Sequence, residues 1–582
     1  MTVISRSLTY LRPYWPLATG AFVAMLLVTA ANLAIPQMIR LLIDDGIIAN
    51  SWTGIFLATA GLLVIAVARG LFSFLSSYWS EKSSQGIAYD LRNQIYRKLQ
   101  TLSFSYHDRN QTGQLMTRAT SDVEAVRTFF AQGLLQLIAA ILTFLGSAVI
   151  LFATDWRLAL AALSTIPIII VIFAKLFTQL GPRFGQVQQR LGALNTVLQE
   201  NISGVRVVKA FTAEPYELSL YREKNEALYQ ENLTILRLFS VGFPTVFLMA
   251  NLGTLIVIWF GGNLVISGEL SLGTLIAFNS YLAFLLMPIF QMGFISQQLS
   301  RAAASSKRLF EIIDAKNEIE ERPEAQPLDD AIQGRVTFEN VHFKYVGTEE
   351  EVLSGISFDV IPGQTVAIVG ATGSGKSSII NLVPRFYEVT AGAVCLDGID
   401  VRNATLDSLR RRVGVVLQDV NLIRGTIRDN IAFGKPEATD QEIMRVARVA
   451  QAHNFIMQLP DAYETVIGEK GTGLSGGQRQ RIAIARTLLV DPCVLIFDDS
   501  TSAVDAETEH RIQRAMEVLL RDRTAFVIAQ RISTLRSANL ILVLENGRVA
   551  GRGTHEELIE TNPLYAEIFY SQLVDDGEPV YA

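Results

Sequence analysis

The run Gly370-Ala371-Thr372-Gly373-Ser374-Gly375-Lys376-Ser377 follows the pattern G-x-x-x-x-G-K-S/T. It comes directly after an apolar, β-branched stretch, Thr365-Val366-Ala367-Ile368-Val369, and before a helical one, Ser378–Val383. Strand, glycine-rich turn and helix are the setting this pattern needs. Its glycines let backbone N–H groups close around phosphate oxygens at the start of a helix. Lys376 then reaches the β/γ-phosphates, and the Ser377 hydroxyl is a ligand for Mg²⁺. About 120 residues later, Cys493-Val494-Leu495-Ile496-Phe497 reads as a buried strand ending in Asp498, a carboxylate placed to hold Mg²⁺ directly or through water. The chemistry implied is binding of a nucleoside triphosphate with its metal.

Between these two motifs lies Leu474-Ser475-Gly476-Gly477-Gln478. A serine and two glycines opening the helical segment Gln478–Leu489 make a second helix start suited to an anion. On its own, Ser-Gly-Gly is ordinarily just a helix cap. The chain would then carry two phosphate-binding ends.

The elements that must position these residues fall into two differently built halves. Of 582 residues, 50% are hydrophobic and only 18% charged, with a mean hydropathy of +0.30. That excludes a disordered chain or one that wraps nucleic acid. Residues 1–320 carry 24 Lys and Arg against 19 Asp and Glu; residues 321–582 carry 26 against 37. The apolar material is concentrated in the first half. Six windows there, at about 17–43, 54–78, 130–153, 158–180, 240–266 and 272–297, have the length that crosses a ~30 Å hydrocarbon core. The first is followed by five more and lacks a clear small-residue cleavage site, so it reads as a span rather than a signal peptide.

Cations set the orientation. Arg6 and Arg12 precede the first span, and Lys82, Arg92, Arg97, Lys98, Arg109, Arg118 and Arg127 lie between spans two and three. Arg183, Arg190, Arg206, Lys209, Arg222 and Lys224 lie between spans four and five, whereas the opposite connections are short and, Arg157 apart, cation-poor. Both termini and both long loops are therefore expected in the cytoplasm, in a multi-pass protein of a bacterial inner membrane. Apolar residues at helical spacing in Ile87–Leu102 and Val187–Val207 predict that the helices continue past the bilayer into these loops. Arg69 and Lys175, inside spans, are expected to snorkel or face the bundle. Asn251, Asn279 and Gln291 are expected to bond between helices or to line a cavity suited to amphipathic cargo.

The boundary reads as a membrane domain over 1–320, a polar, Pro-containing linker over 321–333 and an α/β domain over 334–582, where short β-branched runs alternate with helical segments. Cys395 and Cys493 form no metal or disulfide pattern.

Leu474-Ser475-Gly476-Gly477-Gln478, taken with the other motifs, resembles the signature of ATP-binding cassette (ABC) transporters. The whole chain is similar to an ABC exporter half-transporter of the multidrug type: six membrane helices with long cytoplasmic extensions, then a P-loop NTPase domain with the ABC helical subdomain. The resemblance implies ATP and Mg²⁺ as ligands and further roles, residue by residue. Tyr345, in Phe343-Lys344-Tyr345, falls where the family stacks an aromatic ring on adenine. Ser378 completes the phosphate loop. Gln418, in Val416-Leu417-Gln418-Asp419, matches the glutamine that senses Mg²⁺ and contacts the membrane domain. Ser502-Ala503-Val504-Asp505 resembles the D-loop. Asp108–Asp122 and Glu200–Glu214 resemble the loops that couple to nucleotide domains, with the docking turn expected at Thr112–Ser121. In the family one domain's P-loop faces the signature of another, so Ser475, Gly476, Gly477 and Gln478 are expected to meet a second chain's ATP.

Two positions depart from the family pattern. Asp499 stands where the catalytic carboxylate is usually Glu, and Gln530 stands where the switch residue is usually His. Asp499 is one methylene shorter, and a base must come within hydrogen-bond reach of the attacking water. Gln530 can donate a hydrogen bond but cannot take up a proton. The two changes predict a site that binds ATP and hydrolyses it poorly, while the signature keeps the usual form. This pattern resembles the degenerate-site subunit of a heterodimeric exporter for amphipathic compounds, lipids or peptides. Its partner would carry the usual Glu and His and an altered signature. A slow homodimer and an ATP-gated regulatory subunit are the alternatives, and six spans exclude a soluble P-loop ATPase.

Overall fold

The computed structural model describes residues 3–329, 331–417, 420–468, 471, 473–498, 515–516, 518–529 and 532–575. The chain divides into two compact units: Met1–Gln100 with Gly113–Ala315, and Thr101–Thr112 with Lys316–Ala582.

The first unit is helical. Among the described residues six helical stretches are long and apolar enough to cross a membrane: Ser5–Ile48, Trp52–Thr101, Thr112–Thr154, Trp156–Ser203, Glu214–Ile266 and Leu272–Ile313. Each contains one of the expected windows. The shortest has 42 residues, which at the helical rise is about 63 Å, roughly twice the hydrocarbon thickness. The surplus is helix that runs on past the bilayer. Short connections are closed by side-chain caps: the Asp155 carboxylate accepts from Leu158 N at 2.8 Å, and Ser271 Oγ accepts from Thr274 N at 3.1 Å. The third stretch is not regular throughout, since π-helical turns interrupt it at Arg118–Asp122 and Phe129–Gly133.

The sixth helix, α1 (Leu272–Ile313), is the centre of this unit. Half of its most apolar window is buried, against 6% for the second stretch. Tyr281 in α1 is enclosed, and its hydroxyl donates to Leu33 O at 2.6 Å, so a buried phenol finds its partner on the first helix. Asn251, Asn279 and Gln291 are all exposed, and none makes an interhelical hydrogen bond among the described residues. The expected bonding between helices is therefore not made among the described residues, and the exposed side chains point off the packed core. Arg69 and Lys175 are exposed as well.

The docking turn expected at Thr112–Ser121 is a correction. From Gly113 onward the chain belongs to the membrane unit. Arg118 pairs with Glu311, and Asp122 is held by Ser305 Oγ at 2.8 Å and Arg308 Nε at 2.8 Å. These charges lock that stretch to α1. The segment that joins the nucleotide unit is the preceding one, Thr101–Thr112, with a short helix at Phe104–Arg109.

The second unit is layered α/β. Four strands of its central sheet matter here: β1 (Thr365–Gly370), β2 (Val494–Asp498), β3 (Thr524–Ile528) and β4 (Leu540–Glu545). The order is Arg548–Gly553, β4, β1, β3, β2, Val413–Val416, parallel except for the first pair. β1, β2 and β3 are buried almost throughout, which is why they read as continuous apolar runs rather than alternating ones. A second, antiparallel sheet runs Leu353–Val360, Val336–Phe343, Ala391–Leu396, Ile399–Asp400. The two sheets share one apolar core, in which Phe338 stacks on Phe358 at 4.4 Å. A separate core beneath Gly476–Val490 gathers Ile427, Ile431, Ile443, Ile456 and Ile482 into a helical subdomain.

Candidate nucleotide site

Register places the phosphate loop. Ile528 of β3 pairs with Ile368 on one side and with Asp498 on the other. The C-terminal ends of β1 and β2 therefore flank the same strand, and the loop after β1 opens beside Asp498. This is the end of a parallel sheet at which ligands are held in open α/β folds.

The loop itself needs its glycines. Gly370 has φ +152, and a Cβ there would lie 2.3 Å from Leu544 O and 2.7 Å from Ser374 Oγ. Gly375 has φ +100, with a Cβ position 2.6 Å from Leu353 Cδ2. Gly373 also has positive φ, with open space around it among the described residues. Gly370→Ala should weaken nucleotide binding about 10-fold or more, because the blocking atom is sheet backbone and backbone strain of this kind costs ~1–3 kcal/mol. Titration with a fluorescent ATP analogue would read it; unchanged affinity would remove the loop from the site.

Lys376 begins α2 (Lys376–Leu382), and its Nζ donates to Gly370 O at 2.8 Å and Ala371 O at 2.9 Å, drawn across the loop it closes. Burial lowers its pKa, while the nearby Asp498 carboxylate opposes that shift. Burial likewise pushes the Asp498 carboxyl up, and Lys376 pulls it back. The two face each other across a partly desolvated gap. Ser374 Oγ is buried without a hydrogen-bond partner among the described residues, an unmade bond that a phosphate oxygen inside the loop can satisfy. Thr372 and Ser377 are exposed, and Ser378 is buried.

Ser377 and Asp498 are hard oxygen donors of the kind Mg²⁺ prefers. Among the described residues no group of three or more His, Cys, Asp or Glu could hold a metal. An ion here would complete its shell with phosphate oxygens and water, as Mg²⁺ does in phosphate sites.

Tyr345 stands beside this loop. Its hydroxyl lies 3.0 Å from Ser378 Oγ, and its ring meets Phe343 edge-on at 4.9 Å. The structure therefore brings Tyr345, the loop and Asp498 together. The signature lies elsewhere: Ser475 caps α3 (Gly476–Val490), accepting from Gln478 N at 3.3 Å while Ser475 N donates to Gln478 Oε1 at 2.8 Å. Both ends of this capping box are local. No hydrogen bond or ion pair joins Ser475–Gln478 to the phosphate loop among the described residues. Arg481, which drew no notice in the sequence, is buried behind them. Its Nε donates to Gly477 O at 3.2 Å, another guanidinium nitrogen donates to Gln451 O at 2.9 Å, and it lies 4.8 Å over the Phe455 ring. Gln418, Asp499, Gln530 and Ser502–Asp505 lie outside the described residues.

Sequence reading also missed what lies behind Tyr345. Tyr387 meets it edge-on at 5.2 Å and donates its hydroxyl to Asp108 at 2.6 Å. Phe104 packs on Phe386 at 4.6 Å, and Ser105 and Arg109 both bond to Glu318. Burial, with help from the Asp108 carboxylate, raises the Tyr387 phenol well above its ordinary range. The available signal was Arg385-Phe386-Tyr387, an aromatic pair directly after the phosphate-loop helix.

Residues 19–289 match the ABC transporter transmembrane region family and residues 353–502 the ABC transporter family. The chain is 37% identical over 575 residues to the ABC transporter ATP-binding protein YknU of Bacillus subtilis (strain 168), covering 99% of this chain and 98% of that one. It is 35% identical to an ATP-dependent lipid A-core flippase of Syntrophus aciditrophicus (strain SB), covering 100% and 96%. A solved bacterial Atm1-family ABC exporter with ATP bound superimposes with a TM-score of 0.79 at 28% identity, over 98% of this chain and 99% of that one. With six membrane-crossing helices fused to one nucleotide-binding domain, the chain belongs to the ABC transporter family as an exporter half-transporter whose ATP hydrolysis is coupled to transport.

Proposed function

We propose that this chain is one half of a heterodimeric exporter and supplies its weakly hydrolysing site. The observation that carries this is where the departures fall. Asp499 and Gln530, which would act on ATP held by this chain's own loop, differ from the family pattern, whereas Ser475–Gln478, which would act on a partner's ATP, do not. Lys376, Ser377, Asp498 and Tyr345 keep the binding half of the own site. Mg²⁺ bound by Ser377 and Asp498, with Gln418 beside it, would neutralise phosphate charge. Both termini and both long loops would face the cytoplasm of a bacterial inner membrane.

A second chain is also called for by the tip of the second long loop. There Ile202, Val205, Val207 and Phe211 are 67%, 50%, 61% and 78% exposed in and around the short helix Val205–Ala210. An apolar cluster of this kind on a polar loop marks a protein contact.

The cargo reading is amphipathic or apolar, a lipid or a lipid-like compound. A cavity of about 750 Å³ in the membrane unit is lined by residues such as Phe144, Phe173, Phe177 and Met292 and carries no charged side chain. Such a wall favours apolar surface over ions. The relative named as a lipid A-core flippase has cargo of that type.

Purification of the tagged chain from its native membrane tests the assembly. A second half-transporter in equal amount is expected, with Glu and His at the two altered positions. Recovery of a homodimer alone would overturn the heterodimer. ATP-dependent uptake of a fluorescent lipid into inside-out vesicles tests the transport; ATP binding without uptake would favour the regulatory subunit.

A further inference from the structure

The docked segment Phe104–Arg109 touches the nucleotide unit at a particular place. Its anchor is the aromatic pair Phe386 and Tyr387, and Tyr387 is the residue that backs Tyr345. Tyr345, Tyr387 and Asp108 thus form an unbroken series: ring edge on ring at 5.2 Å and 88°, then a phenol-to-carboxylate hydrogen bond at 2.6 Å. The Phe104 ring also lies 6.4 Å from that of Tyr387. The Tyr345 hydroxyl is tied to Ser378, so that ring is held at its hydroxyl end.

We infer that Tyr387 is a positioning residue linking base occupancy at Tyr345 to the seating of Phe104–Arg109, so that nucleotide binding is transmitted to the first long loop from its base end as well as from its phosphates. This rests on reading Tyr345 as the residue that stacks on adenine. A base laid on Tyr345 restricts its ring. The ring edge restricts Tyr387, and the Tyr387 hydroxyl holds Asp108 in a segment continuous in the chain with the second and third membrane helices. Linkage is reciprocal: if the base steadies the segment, the seated segment must strengthen binding of the base by the same factor. The phosphates are gripped by the loop around Lys376, and any coupling they make to Tyr345 through Ser378 acts on ATP and on a bare triphosphate alike.

Reciprocity gives a test that general destabilisation would not imitate. Photolabelling of this chain by 8-azido-ATP, in the full transporter in lipid nanodiscs, is competed with ATP and separately with inorganic tripolyphosphate. The second competitor fills the phosphate loop and has no base. The ratio of the two affinities isolates the base contribution. Asp108→Ala, at an exposed position, and Tyr387→Phe, which keeps the ring, should each lower that ratio about 5-fold, the lower end of typical coupling between sites. The double variant should fall no further, because both remove one bond. Tyr345→Ala should lower the ratio most. If Tyr345→Ala lowers it while Asp108→Ala and Tyr387→Phe leave it unchanged, the linkage is wrong and base stacking stands. Additive losses in the double variant would equally overturn a shared path. If Tyr345→Ala itself leaves the ratio unchanged, base stacking at Tyr345 fails, and the linkage with it.

Discussion

Ser475→Arg should nearly abolish steady-state ATPase of the assembled transporter, while Asp499→Asn in the same chain should leave most of it. The expectation rests on where each residue would act. Ser475 caps α3 with a hydroxyl that accepts from Gln478 N, and among the described residues no atom lies within 4 Å of a Cβ position on the neighbouring Gly476. That open, side-chain-free surface is what a second chain's phosphates would approach. An arginine there removes the cap, worth ~1 kcal/mol, and fills the space needed for closure. Loss of transition-state donors of this type costs ~100- to 1,000-fold in turnover. Asp499 faces the opposite situation. A working general base contributes ~100- to 10,000-fold, yet a carboxylate one methylene short, beside a glutamine at the switch position, contributes little that Asn can remove. A loss under ~3-fold is expected at Asp499 if a working base of that size sits in the partner. The measurement is ATPase of the purified complex. Abolition by Asp499→Asn together with tolerance of Ser475→Arg would make this chain's own site the working one.

Lys376→Ala should weaken nucleotide binding at this chain's own site by ~10- to 100-fold, the equivalent of one charge-assisted hydrogen bond. Its ammonium is held at the loop mouth by Gly370 O and Ala371 O, and burial makes its charge costly without an anionic partner. A triphosphate supplies that partner, and the alanine leaves the phosphates without it. Lys376→Arg should not restore full affinity, because a planar fork cannot sit where a compact ammonium bridges two carbonyls. Occupancy is read per chain by photolabelling. Undiminished labelling of Lys376→Ala would show that the triphosphate does not reach this loop.

How much could be read without coordinates follows from the range of the forces involved. The six membrane helices were legible because crossing a bilayer is a condition on consecutive residues: enough apolar side chains in a row, whatever surrounds them. The phosphate loop was legible because its glycines answer a local demand of the backbone, at Gly370, Gly373 and Gly375. The signature cap was legible because its bonds run between Ser475 and Gln478, three residues apart.

Other properties had no local signature. Asp108 and Tyr387 are 279 residues apart, and only the folded chain brings them within a hydrogen bond. The docking turn is expected too late in the sequence because the resemblance marks a whole loop, Asp108–Asp122, and does not say which part of it docks. Ion pairs of Arg118 and Asp122 with α1 decide that the later stretch stays with the membrane helices. The exposed state of Asn251, Asn279 and Gln291 was equally hidden, since a polar residue in an apolar helix looks the same whether it turns inward or outward. By itself, then, the sequence determined the membrane-crossing segments, the phosphate loop and the cap, all set by near neighbours along the chain. The tertiary structure alone decided which segment docks, what stands behind Tyr345 and in which direction burial shifts Lys376 and Asp498, because each depends on groups that meet only after long loops close.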